Sequence, residues 1–231
     1  MNTEFLNSSV FFGVMISLTS YAIGMWLKRK TGWALMNPLL VSIVLVIATL
    51  LTFDISYDSY KEGSAIITYL LTPATVCLAV PLYQQVELLK RNFKALMAGM
   101  LAGVLASLTC IFIMALILGL DHAAYVTFLP KSITTAIGID VSKELGGIVP
   151  VTVVSIIITG VLGNVFAEKF LKLIRVNHPI AKGIAIGSAS HAVGTAKAME
   201  MGAVEGSMSS LSIVVCGIMT VILASLFALL A

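Results

Sequence analysis

Residues 95–120 form an unbroken apolar run, long enough to cross the roughly 30 Å hydrocarbon core of a bilayer as a single helix. Runs at 5–27, 33–53, 148–166 and 211–231 have the same character. In lipid a helix satisfies every backbone polar group within its own segment, which a lipid-exposed loop cannot do. The composition agrees, with 59% hydrophobic and 11% charged residues and a mean hydropathy of +1.05, against about 25% charged residues in a soluble domain. The expected fold is therefore all-α: a polytopic transmembrane helical bundle, one membrane domain over residues 1–231, with the lipid bilayer as its surroundings. There is room for roughly seven or eight spans and for no separate soluble catalytic domain.

Charge is sparse but ordered. The net charge of +3 is too small and too scattered to suggest nucleic acid. Lys28, Arg29 and Lys30 mark one basic loop, Lys90, Arg91 and Lys94 a second, and Lys169, Lys172, Arg175 and Lys182 a third. Positive loops stay on the cytoplasmic side, whereas the acidic connection with Asp54, Asp58 and Glu62, and the one that begins at Asp121, belong outside. The amino terminus is then expected outside. The opening Met1-Asn2-Thr3-Glu4 has no basic stretch ahead of the first apolar run, which reads as an uncleaved span and not a signal peptide. Cys77, Cys110 and Cys216 sit in apolar runs, as small hydrophobes do; no metal and no cofactor are expected.

Three segments, 64–83, 125–147 and 183–202, mix apolar residues with Pro, Gly, Ser, Thr and charge. Given the loop charges, 125–147 must return to the side it left, so a re-entrant or broken element is expected there. A shift of 57 positions superposes Pro73 on Pro130, Ala79 on Ala136, Glu87 on Glu144 and Gly103-Val104-Leu105 on Gly160-Val161-Leu162, with Thr75 over Ser132. The pattern suggests an inverted repeat, with halves at about 33–120 and 121–231. Duplicated halves with broken helices in matching places mark secondary transporters, whose sites lie near the bilayer midplane.

Two of these segments hold the candidate site. In Leu129-Pro130-Lys131-Ser132-Ile133-Thr134-Thr135, Pro130 cannot continue a helix from upstream, so a helix is expected to begin there. Its free amides and dipole, with Lys131, would favour an anion. The alternative is that Lys131 snorkels to the interface and the hydroxyls bond back to their own helix. In the second segment Gly183, Gly187, Ser190 and Gly194 form a small-residue stripe, with Ser188, His191 and Thr195 beside it if the helix is continuous. A histidine at membrane depth suggests a pathway or proton relay, though it can simply bond between helices. Asp140, Glu144, Glu87 and Lys197 are candidates for coupling. Asn37-Pro38 and Thr72-Pro73 mark further breaks, while His122 and His178 fall in loops with no role expected. Motifs for a metalloprotease, a P-loop or a serine hydrolase are missing from the sequence, so no enzyme is expected.

The stretch Leu129-Pro130-Lys131-Ser132-Ile133-Thr134-Thr135 together with Ala189-Ser190-His191-Ala192-Val193-Gly194-Thr195-Ala196-Lys197-Ala198 resembles the hallmark motifs of the LrgB/CidB family. The hydropathy pattern fits over essentially the whole chain. The resemblance implies a bacterial inner-membrane protein and two functions: a carrier of small monocarboxylates such as pyruvate, glycolate or glycerate, or an antiholin-like regulator of murein hydrolase export and lysis acting with an LrgA/CidA-type partner. A homo-oligomer is also expected. Carried over, the motifs point to Lys131, Ser132, Thr134, Thr135, Ser190, His191 and Thr195 as substrate-binding residues. Ala136 departs from the family pattern, where many relatives have proline, and leaves that helix start less rigid.

Overall fold

The computed structural model describes residues 11–32, 36–77 and 79–230, without the side chains of residues 71, 75, 79, 81 and 82. The Met1-Asn2-Thr3-Glu4 start, residues 5–10 and 33–35 of the first two expected spans, Ala231, and the side chains of Thr75 and Ala79 from the repeat comparison lie outside the described residues. Those described form helices and no strand. They divide into two compact units, residues 1–77 and 78–231.

The first unit holds α1 (Phe12–Thr31), α2 (Pro38–Thr52), α3 (Tyr57–Gly63), α4 (Ala65–Tyr69) and α5 (Leu71–Cys77). α1 carries Lys28, Arg29 and Lys30 in its last turn and ends on Gly32 at φ 68°, a left-handed residue that suits glycine. The second expected span begins later than its apolar run. Asn37 accepts from the Leu39 and Leu40 amides at 2.9 and 3.4 Å and Pro38 takes the first helical position, so Asn37-Pro38 is a helix start and not a kink. Gly24 lets α1 close onto Pro38, since an added Cβ would lie 2.7 Å from the Pro38 carbonyl oxygen. Ser17 of α1 bonds the Tyr60 hydroxyl of α3 at 2.9 Å.

The second unit holds α6 (Ala79–Gln84), α7 (Val86–Leu118), α8 (His122–Phe128), α9 (Thr135–Glu144), α10 (Val149–Leu173), α11 (Pro179–Met201) and α12 (Ala203–Phe227), closed by a 3-10 turn at Ala228–Leu230. Among the described residues, three helices are long and apolar enough to cross a membrane: Val86–Leu118, Val149–Leu173 and Ala203–Leu230. The segments around 64–83 and 125–147 are, as expected, broken into short helices.

Between the long helices lie two hairpins that point toward each other. The first is α8 and α9, of 7 and 10 residues, each too short for a span. Its two ends are tied together. The Thr127 hydroxyl accepts from the Ile148 amide at 2.7 Å, and Thr152 of α10 bonds both the Thr127 carbonyl at 2.9 Å and Ser142 of α9 at 2.6 Å. The segment thus returns to the end of α7 from which it left.

The second hairpin is α11, which is not one helix. Ser190 (φ −132°, ψ 16°) and His191 (φ 41°, ψ −142°) leave helical geometry, and the chain folds back. Ile186 and Ala198 share one apolar cluster with Leu171, and Lys182 and Lys197 line one small polar hollow. A straight helix would hold those lysines about 22 Å apart.

Direction follows from close approaches. A Cβ on Gly99 would meet Ile184 at 3.8 Å and one on Gly103 would meet Ser188 at 3.2 Å, so α7 and the first half of α11 run the same way. Their basic beginnings, Lys90 to Lys94 and Lys169 to Lys182, therefore lie at one end. Lys197 pairs with Glu168 near the end of α10 at 3.3 Å, so the second half of α11 returns to that basic end. The first hairpin enters from the opposite end. The two hairpins, beginning at His122 and Pro179, therefore run in opposed directions.

Candidate functional site

The tips of the two hairpins meet in one cavity of about 880 Å³ inside the second unit. The half-helices from tip to end, residues 192–201 and Thr135–Glu144, have ten residues each and measure about 15 Å, half the ~30 Å hydrocarbon core. Both second halves start at the tip, so two positive dipole ends lie there.

Lys131 and Ser132 line the cavity from the first tip and Ser190 from the second. Lys131 Nζ donates to Ser132 Oγ at 2.9 Å, and Ser132 lies 3.5 Å from Ser107 Oγ on α7. Among the described residues lining it, Lys131 is a full cation and none is Asp or Glu. Partly buried and bonded to one hydroxyl, its ammonium keeps two further donors for a ligand.

The helix expected to begin at Pro130 begins instead at Thr135, with Thr134 as its N-cap. Residues 130–133 close tight turns, the Lys131 amide bonding the Phe128 carbonyl at 3.1 Å and the Ile133 amide the Pro130 carbonyl at 3.3 Å. Proline can end α8 without starting the next helix, because the buried side chains of Ser132 and Ile133 draw the connection inward first. Thr134 and Thr135, half-buried, do not line the cavity.

His191 and Thr195 lie behind the cavity wall. His191 Nε2 donates to the Ile156 carbonyl at 3.0 Å, while Thr195 Oγ1 donates to the His191 carbonyl at 2.9 Å and lies 2.7 Å from Ser209 Oγ on α12. Asn164 of α10 donates to the Val193 carbonyl at 2.8 Å. These bonds hold the turn, and α10 supplies the space through Gly160 and Gly163. A Cβ on Gly160 would fall 2.7 Å from the imidazole, and one on Gly163 would overlap Ser190. The small-residue stripe does as expected at Gly183 and Gly187, where α12 backbone would meet an added Cβ. The break, however, puts Ser188 on the cavity and His191 away from it.

Asp140 and Glu144 are exposed on α9, and neither lines the cavity; nor does Lys197, which pairs with Glu168 at 3.3 Å and Glu200 at 3.2 Å. Sequence reasoning missed Asn92, Ser107, Cys110 and Thr159 on the cavity wall, and passed over His178, which lines it at the basic end. One signal was available: Gly99, Gly103, Ser107 and Cys110 recur at helical spacing inside an otherwise bulky apolar run.

No solved structure matches the chain. An LrgB-like family model matches residues 17–230. The antiholin-like protein LrgB of Bacillus cereus (strain B4264) and that of Bacillus anthracis (strain CDC 684 / NRRL 3495) are each 39% identical over 218 residues, covering 94% of this chain and 95% of the relative. The family's extent thus takes in both hairpins and all the long helices, and the chain belongs to the LrgB-like family.

Proposed function

We propose that this protein is a membrane carrier of small monocarboxylates, of the pyruvate, glycolate or glycerate type, working by alternating access. The supporting observation is the meeting of two opposed hairpin tips around Lys131, with the Ser132 and Ser107 hydroxyls beside it. Half-helix starts aimed at the middle of a bilayer suit an anionic group. Hairpins that enter from opposite ends can open one side while the other closes. On this reading the carboxylate takes the two spare Lys131 donors, and His191 and Thr195 keep the second tip in shape. The test is uptake of radiolabelled pyruvate and glycolate by proteoliposomes holding wild type or Lys131→Ala. Uptake in the wild type and its loss in the variant are expected; background flux in both would sink the reading.

A second reading takes its support from the names of the relatives, which bear on it more directly than on transport: an antiholin-like regulator acting with an LrgA/CidA-type membrane partner. It places the protein in the bacterial inner membrane with its work done through a partner, so Lys131→Ala leaves its effect on lysis intact and deletion of the partner abolishes that effect. Lysis assays with the Lys131 variant therefore separate the two.

A further inference from the structure

A two- or three-carbon acid occupies a small part of this cavity, and most of what remains is apolar. At about 880 Å³ it lies near the top of the roughly 300–1,000 Å³ range of small-molecule sites. Its ionisable groups are spread along its length, with Lys131 at the hairpin tip and His178 at the basic end. Between them Leu96 and Gly99 of α7 face Ile180, Ile184 and Ala185 of α11. Ser107 and Leu96, eleven positions apart on α7 (107 − 96), are separated by about 16 Å of helix. A bare short acid held at Lys131 leaves this wall without apolar contact.

We infer that the cavity selects a monoanionic carboxylic acid with an apolar body of about four to six carbons, its carboxylate at Lys131 and Ser132 and its chain along Leu96, Ile180 and Ile184. The inference rests on the carrier reading and narrows its substrate class. Each methylene that leaves water for this wall strengthens binding about fourfold. A second carboxylate on such a chain is disfavoured, because it would sit against Ile184 and Leu96 with no cation beside it.

Cys110 lines the cavity, and Cys216 is buried, so in the full-length Cys77→Ser protein Cys110 reports on occupancy without requiring flux. Protection of Cys110 from a small maleimide would be titrated with glycolate, pyruvate, hexanoate, 4-methyl-2-oxopentanoate and adipate. Pyruvate flux into proteoliposomes would be measured in parallel. Hexanoate and 4-methyl-2-oxopentanoate should protect at concentrations at least about tenfold below pyruvate, and adipate should not. Gly99→Val, whose Cβ makes only ordinary contact with Ile184, narrows the wall and should cut that preference to under threefold or so. If pyruvate protects as well as the longer acids while Lys131-dependent pyruvate flux persists, the inference fails and the carrier reading stands. If adipate matches hexanoate, or Gly99→Val leaves the preference intact, the inference also fails. If no acid protects and none is carried, both fail.

Discussion

Gly163 stands where the second hairpin turns against α10, and one added carbon there would overlap the Ser190 side chain. Gly163→Ala should lower stability by about 1–3 kcal/mol, since overpacking a tight contact forces backbone to move. Thermal unfolding in detergent would read this, and pyruvate uptake should fall with it because Ser190 lines the cavity. His191 holds φ 41°, a conformation that costs a side-chain-bearing residue about 1–3 kcal/mol. His191→Ala and His191→Gly both lose the bond to the Ile156 carbonyl, but only glycine adopts this backbone freely. The glycine variant should therefore unfold at the higher temperature. Equal melting of the two would show that the turn relaxes when the ring is gone. His191 was legible as a residue of interest, because a polar ring in an apolar stretch is conspicuous. Its conformation was not, because no neighbouring residue type signals a left-handed histidine.

At the scale of elements, the first hairpin depends on a small hydroxyl network and the second on glycine gaps. Thr127→Val removes the acceptor for the Ile148 amide and should cost about 1–3 kcal/mol, the penalty of an unmet buried backbone donor. The more conservative Thr127→Ser should restore most of it, and thermal unfolding of both variants checks the point. Asn37→Ala removes the two cap bonds of α2 and should cost about 1 kcal/mol. The loop charges and the polar content of 125–147 foretold a re-entrant element, and the structure has one. The start of its second helix, expected at Pro130, lies at Thr135, because proline announces where a helix cannot continue and says less about where the next begins. In 183–202 the helical spacing of small residues read as a continuous helix. The break at Ser190 is tertiary in origin, since it needs the space that Gly160 and Gly163 leave on α10.

For the whole molecule, the opposed hairpins give a labelling pattern across the membrane. Cysteines placed at Asp121 and Glu144 should react from one side, and cysteines at Lys172 and Glu200 from the other, with an impermeant thiol reagent on cells and on inverted vesicles. Reaction of Glu144 and Glu200 from the same side would contradict the opposed arrangement. If Lys94 and Lys172 then prove cytoplasmic, the expectation from the positive loops holds for this unit. By itself the sequence determined that the chain is a helical membrane protein, that 125–147 is interrupted, and that Lys131, Ser132 and Ser190 are candidates for a polar site. Each of these follows from local facts: a run too apolar for water, a proline that stops a helix, a charge too costly to leave in lipid without a use. Only the tertiary structure decided that α11 doubles back, that His191 and Thr195 brace the tip instead of facing the cavity, and that Ser107, Cys110 and His178 join its wall. Those depend on which faces of separate helices pack together, and residues 85 positions apart on α7 and α11 carry no mark of each other until the helices meet.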